Sequence, residues 1–240
     1  MGSDSIRIDS RSARMVAHRG LSGLERENTN AAFVAAGQRS YWGIETDIHR
    51  TADGQFVVFH DDTTARLTQE NWIVEEKTLA QLKSLILRDM DGRLRSDLTL
   101  PTLDEYIRIC KKYGKVAVLE LKNHMGCEDI RKVIAIIGEE AYLQQTVFIS
   151  FDLENMLCIR RLLPEQAAQY LVSEITDDLY DILVDNRLDL DIYHKGLNGE
   201  FVARLHEAGR VVNVWTVDTP EDAARVLDMG VDFITSNILE

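Results

Sequence analysis

Three observations predict an α/β fold, a (β/α)8 barrel of the TIM type. Short apolar runs alternate with helical patterns along the chain, eight of those runs remain once one is given to a hairpin, and 240 residues is a usual barrel length. The first strand spans about Ala13 to Ala17, and a helix over Asn28 to Arg39 follows it. A second strand, Gly43 to Ile48, continues through Thr51-Ala52-Asp53-Gly54 into the run Gln55 to Phe59. An Asp-Gly pair between two alternating runs is a strong hairpin signal. Residues 62–100 are the least regular. They hold one helical stretch, Leu79 to Ile86, and a charged loop around Arg88 to Asp97, and they read as a small insertion on the rim.

Pro101-Thr102 opens a helix that ends at Gly114. Later strands fall near Lys115 to Leu121, Thr146 to Ile149, Ala168 to Val172, Leu190 to His194, Arg210 to Val217 and Asp232 to Thr235. Gly209 closes the helix Glu200 to Ala208. Asp218-Thr219-Pro220 supplies a cap and a first-turn proline to another helix, which Gly230 stops. With no repeat or linker, the expected organisation is a flexible segment 1–12 followed by a single domain, 13–240. Met1-Gly2-Ser3-Asp4 is set apart from the fold argument.

The formal net charge of -13 argues against nucleic acid or an anionic membrane as partner, because either polyanion would be repelled. A small anionic substrate held by local cations remains compatible. No apolar run approaches the ~20 residues that cross a bilayer, so no stable membrane association is expected. The first twelve residues are polar and lack the apolar stretch of a signal peptide, which points to the cytoplasm. Cys110, Cys127 and Cys158 are odd in number and show no metal-like spacing. Cys110 and Cys158 lie in amphipathic helical runs and read as core thiols, and Cys127, after a loop, as exposed. Neither a disulfide framework nor a catalytic cysteine is expected.

The chemistry gathers where strands run out. His18 follows Met15-Val16-Ala17, His60 follows Phe56-Val57-Val58-Phe59, and Glu120 follows Val116-Ala117-Val118-Leu119. Ionisable groups fused to buried strands cost desolvation energy unless they are paired or coordinate something. Glu45 and Asp47, two apart on a strand, leave the same face and repel each other unless a cation lies between them. Their oxygens, with Glu120 as a third, suit Mg²⁺ or Ca²⁺. An acidic outer strand face is the plainer alternative, weakened by the apolar Ile44 and Ile48 that alternate with the acids.

His18 and His60 are candidate acid/base groups, since histidine titrates near working pH. A hairpin centred on Asp53 sets Thr46 opposite His60 and so brings His60 beside the acids. Arg19 and Lys122 suit a phosphate, with a salt bridge to a neighbouring acid as the alternative for each. Glu27-Asn28-Thr29 reads as helix capping. His49, His124, His194 and His206 carry little signal. Trp215 is either core or a flat wall against substrate, and residue type slightly favours core.

In order, His18-Arg19-Gly20, Glu27-Asn28-Thr29, Glu45-Thr46-Asp47, Asp53-Gly54, Val57-Val58-Phe59-His60-Asp61, Pro101-Thr102-Leu103-Asp104-Glu105, Glu120-Leu121-Lys122, Ser150-Phe151 and Val214-Trp215-Thr216-Val217 resemble the glycerophosphodiester phosphodiesterase family. The resemblance runs from Met15 to about Asn237. It implies a (β/α)8 barrel that hydrolyses glycerophosphodiesters, as small-molecule substrates, to glycerol 3-phosphate and an alcohol. It further implies a divalent ion (Mg²⁺ or Ca²⁺, or Mn²⁺) at Glu45, Asp47 and Glu120, and His18 and His60 as the acid/base pair. Arg19 and Lys122 match phosphate-holding positions, and Trp215 matches an aromatic on the glycerol side. Two positions depart from the pattern. Arg26 stands where the family commonly has proline, and Ser236-Asn237 follows Thr235 where an aspartate is usual. The rival readings are a barrel phosphodiesterase acting on intact phospholipids, a non-catalytic phosphodiester-binding barrel, and a metal-dependent sugar isomerase. Fold alone does not separate them.

Overall fold

A computed structural model describes residues 4–240, so Met1 to Ser3 lie outside the described residues. Strand β1 (Arg14–Ala17) leads through a loop to helix α1 (Asn30–Gly37). Strands β2 (Gly43–Arg50) and β3 (Phe56–Val58) form the hairpin, and Gly54 takes the left-handed turn position at φ 72°. Then come α2 (Leu79–Lys83), α3 (Leu103–Tyr113), β4 (Val116–Leu121), α4 (Cys127–Glu139), β5 (Thr146–Ser150) and α5 (Leu153–Leu162). The chain closes with β6 (Ala168–Val172), α6 (Leu179–Asp185), β7 (Asp189–Tyr193), α7 (Gly199–Glu207), β8 (Val212–Trp215), α8 (Pro220–Asp228) and β9 (Phe233–Ser236).

Eight strands pair in parallel in the circular order β1-β2-β4-β5-β6-β7-β8-β9, with β1 bonded to both β2 and β9. The expected barrel is therefore closed, and β3 lies antiparallel outside it against β2. Ile48 faces Val58 and His49 faces Val57, and the Phe59 amide still bonds Asp47 O at 3.1 Å. That register continues to Thr46 opposite His60, as the hairpin argument expects.

Alternation divides the strand residues between two cores. Val16, Val118, Val147, Ile149 and Leu171 fill the barrel, while Ile44, Ile48, Leu119, Leu190 and Ile192 pack outward against the helices. The helix signals act where expected. Thr102 and Glu105 form a capping box on α3, Gly114 ends that helix at φ 63°, and Thr219 caps α8 with Pro220 in its first turn.

Several expectations are corrected. Helix α1 begins at Asn30 with Thr29 as its cap, because Asn28 sits at φ 55° and turns its side chain into the barrel mouth. The short helix in the insertion stops at Lys83 rather than Ile86. Residues 62–100 also carry two 3-10 turns and a small core of their own, Leu67, Val74, Leu82, Leu85, Leu87, Leu98 and Leu100, packed on Val57 and Phe59. The N-terminal segment, set apart as flexible from sequence, lies along the C-terminus: Ile6 N bonds Ile238 O at 3.0 Å and Glu240 N bonds Ile6 O at 2.8 Å.

The largest correction concerns cysteine. Cys127 and Cys158 are joined in a disulfide between the start of α4 and the middle of α5, with Cα atoms 5.9 Å apart. Cys110 remains a free, buried thiol. The pairing was hidden because the partners are 31 residues apart and meet only where adjacent helices pack. Closing a loop of that length constrains the unfolded chain by about 3.7 kcal/mol. Reduction, or the Cys127→Ser and Cys158→Ser pair, is expected to lower Tm by roughly 7–15 °C. An unchanged melting curve in excess reductant would show that the bond contributes nothing.

Candidate active site

The candidate residues His18, Arg19, Glu45, Asp47, His60, Glu120, Lys122 and Trp215 converge at the C-terminal mouth of the barrel, the end at which enzymes of this architecture place their chemistry. A cavity of about 160 Å³ there is lined by His18, Arg19, Glu45, His60, Glu120, Ile149, Phe151, Leu171, Asp191, Trp215 and Thr235.

Glu45, Asp47 and Glu120 are all buried, and one oxygen from each lies within 4.8 Å of the others. Strand pairing causes this: Asp47 and Glu120 are register partners on β2 and β4, and Glu45 is one same-face step below Asp47. Burial, then the repulsion of Asp47 and Glu120, pushes the Glu45 carboxyl well above its usual range. Burial and Asp47 likewise push Glu120 up to about 8. Burial acts on Asp47 too, but Arg19 and Lys122 outweigh it and hold this carboxyl below its usual value. Without a cation the cluster thus keeps protons on some of its acids. An all-oxygen set of three carboxylates under such repulsion fits a hard divalent ion.

Cations and amides grip the cluster from outside. Lys122 Nζ lies 2.8 Å from Glu120 Oε1 and 3.7 Å from Asp47 Oδ1. The Arg19 backbone N–H donates to Glu45 Oε2 at 2.7 Å, and its guanidinium Nε stands 3.6 Å from Asp47 Oδ2. Asn28 Nδ2 donates to Asp47 Oδ2 at 2.8 Å, and Thr46 Oγ1 donates to Asn28 Oδ1. Gly20 lets this loop lie on α1. At φ 77°, a Cβ there would meet the Ala32 carbonyl carbon at 2.7 Å.

The two histidines have different partners. His18 Nδ1 lies 2.7 Å from Asn237 Oδ1, and Asn237 Nδ2 donates to Asp218 Oδ2 at 2.6 Å. The carboxylate accepts only from the amide nitrogen, so the amide oxygen faces His18 and receives its Nδ1–H. His18 Nε2 is left with its lone pair, 4.0 Å from Glu45 Oε2. Burial and the nearby Arg19 push His18 down to about 4. His60 Nδ1 instead meets a carboxylate, Asp61 Oδ1, at 2.7 Å. Burial lowers its pKa, with Asp47 and Asp61 opposing.

A chain of ion pairs joins the two sides. Arg19 Nη1 donates to Glu27 at 2.8 Å, Arg66 grips Glu27 through both terminal nitrogens at 2.8 Å, and Arg66 Nε donates to Asp61 at 2.7 Å. Of Glu27-Asn28-Thr29 only Thr29 caps α1, while Glu27 and Asn28 hold Arg19, Arg66 and Asp47 at the barrel mouth. Arg26, the departure from the family pattern, donates to Arg88 O and Asp89 O at 2.6 Å and ties the insertion to the first loop.

Trp215 is half-buried on the cavity wall rather than in the core, with Phe151 at 5.6 Å and Tyr193 at 5.5 Å between ring centroids. The remaining histidines are occupied elsewhere. His49 contacts Glu75 and His60 O, His124 contacts Asp152, His194 contacts Arg225, and His206 contacts Asp232. Sequence reasoning missed Asp218, Asn237 and Arg66. The Ser236-Asn237 departure was the one signal pointing at the first two, and nothing local marked Arg66.

A sequence model of the Glycerophosphoryl diester phosphodiesterase family matches residues 18–239. The chain belongs to this family. It is 30% identical over 233 residues to the Bacillus subtilis protein YhdW, covering 93% of each chain. It is 28% identical over 228 residues to a glycerophosphodiester phosphodiesterase of Caldanaerobacter subterraneus, again covering 93% of each. Among solved structures, an Oleispira antarctica phosphodiesterase in complex with the product sn-glycerol-3-phosphate superposes with a TM-score of 0.80 at 28% identity, covering 97% of this chain and 96% of that one. Family membership makes the chain an enzyme of the phosphodiesterase class.

Proposed function

We propose that the protein hydrolyses glycerophosphodiesters to glycerol 3-phosphate and an alcohol, using a divalent ion (Mg²⁺, Ca²⁺ or Mn²⁺) held by Glu45, Asp47 and Glu120. The observation that carries this reading is the meeting of three buried carboxylates with His18, His60 and Arg19 around one cavity. When bound, the ion supplies Lewis-acid polarisation of a phosphoryl oxygen. Arg19 and Lys122 bind the phosphate and stabilise the charge that builds on it. Trp215 offers a flat apolar wall to the glycerol side.

His18, fixed as the Nδ1–H tautomer by Asn237, takes a proton at Nε2 from the nucleophile, either water or the glycerol hydroxyl next to the phosphate, the latter giving a cyclic phosphate that water then opens to glycerol 3-phosphate. His60 in its protonated form is stabilised by Asp61 and delivers its Nε2 proton to the leaving alkoxide. A carboxylate rather than an amide as the Nδ1 partner supports His60 as the acid and His18 as the base.

The test is release of glycerol 3-phosphate from glycerophosphocholine and glycerophosphoethanolamine, with and without added metal. A small cavity and a loop rich in ion pairs suit water-soluble diesters, so phosphatidylcholine in mixed micelles is expected to react far more slowly. Preference for the intact lipid would move the protein to the phospholipid class. Among the described residues no helix is long and apolar enough to cross a membrane. If the protein works in the cytoplasm, thiol trapping in intact cells is expected to find Cys127 and Cys158 reduced. Finding them bonded would place it in an oxidising compartment.

A further inference from the structure

One buried acid at the cavity takes no part in this mechanism. Asp191 lies on β7, four strands from β2 in either direction around the barrel, and so diametrically opposite Glu45 and Asp47. Its neighbours in sequence, Leu190 and Ile192, pack outward against the helices, so the Asp191 side chain enters the barrel and forms part of the cavity wall. It is 2% exposed, and its Oδ1 has no hydrogen-bond partner.

The Asn213 side chain also bonds to the Asp191 carboxyl, which still leaves Oδ1 free, and the other polar residues nearby are engaged with one another. Asn213, its register partner on β8, reaches Gln169 at 3.4 Å and accepts from Thr235 Oγ1 at 3.2 Å. A second orphan lies on the same wall: Trp215 Nε1 is buried without an acceptor. Buried polar atoms are nearly always satisfied, and an exception calls for a reason. An unpartnered carboxyl oxygen and an unpartnered N–H on one wall match a group that both donates and accepts, which is a hydroxyl. No cation neighbours Asp191, and burial pushes its carboxyl up to about 8, so near neutrality it is an uncharged acid. That favours a hydroxyl over an ammonium group.

We infer that Asp191 receives the terminal hydroxyl of the substrate's glycerol arm and makes it a determinant of substrate choice. The inference rests on the reading of this cavity as a glycerophosphodiester site. With the phosphate held beside Glu45, Asp47 and Glu120, the hydroxyl on the neighbouring carbon stays near the acids. The terminal hydroxyl extends furthest toward β7. The variable alcohol is then left to the open mouth.

The test is equilibrium binding of sn-glycerol 3-phosphate and of 1,2-propanediol 1-phosphate, which lacks only that hydroxyl, in Mg²⁺ buffer. Wild type, Asp191→Leu and Asp191→Asn are compared, with Tm measured for each without ligand. Wild type is expected to prefer glycerol 3-phosphate by on the order of tenfold. Asp191→Leu should bring the ratio close to one by weakening that ligand alone, and Asp191→Asn should keep most of the preference. Because the free protein leaves Asp191 Oδ1 buried without a partner, Asp191→Leu should not lower Tm. Equal weakening of both ligands, or a preference that survives Asp191→Leu, overturns the inference. Hydrolysis of glycerophosphocholine by wild type is followed in parallel. Turnover without discrimination defeats only the Asp191 role, whereas discrimination without turnover defeats only the proposed reaction.

Discussion

Dialysis against a chelator is expected to abolish hydrolysis of glycerophosphocholine, and Mg²⁺, Mn²⁺ or Ca²⁺ is expected to restore it. The expectation follows from the electrostatics of the acid cluster. Glu45 and Glu120 are both pushed up by burial and by Asp47, and only Asp47 is held down, by Arg19 and Lys122. A divalent charge between them reverses that balance and lets all three ionise.

The same cluster has a stability signature. In the metal-free protein Glu120 keeps its proton to about 8, while in the unfolded chain it loses it near its ordinary 4.5. The folded state therefore binds more protons across that window, and its stability falls as pH rises through it. Metal binds the ionised carboxylates, so its stabilisation grows toward the alkaline end. Glu45→Gln or Asp47→Asn should weaken metal binding. Glu45→Gln also removes a repelled carboxyl and should leave the apo protein at least as stable. Full activity in excess chelator, or a Tm that ignores metal at pH 8, would count against the site.

Replacing either histidine should also have a large effect. His18→Ala and His60→Ala are each expected to lower kcat by on the order of 10²–10⁴. The double variant should be little worse than either single, because members of one catalytic unit are strongly non-additive. KM should change less than kcat, since Arg19, Lys122 and the metal still hold the phosphate. Metal content, checked in each variant, should be unchanged: His18 Nε2 approaches Glu45 only to 4.0 Å, and His60 is tied to Asp61. Near wild-type turnover in either single variant would show that histidine to be structural.

Much of the arrangement was legible because it depends on short distances along the chain. The apolar runs ending at His18 and Glu120 belong to parallel barrel strands, whose direction carries those residues to one end of the barrel, and the antiparallel hairpin register returns His60 to the same end. The Asp53-Gly54 turn determined the hairpin register, and period-2 alternation placed Glu45 and Asp47 on one face. Caps at Thr102 and Thr219 and the stop at Gly114 act within one helical turn. Such signals do not depend on what packs against them. The misreadings involve contacts between distant segments. Asn28 passed for a helix residue until Asp47 gave its side chain a partner, and for Trp215 the choice that residue type left open, core or substrate wall, waited on the cavity that gives it a free face.

The sequence by itself determined the strand and helix order, the hairpin, and which carboxylates, histidines and cations gather at one rim. The reason is that periodicity and turn chemistry are local. Only the tertiary structure decided the partners. It set Asn237 and Asp218 behind His18, Arg66 between Glu27 and Asp61, Cys127 against Cys158, and Asp191 across the barrel from the acids. Those pairings depend on barrel closure and helix packing, which bring together residues whose separation along the chain carries no trace of their separation in space.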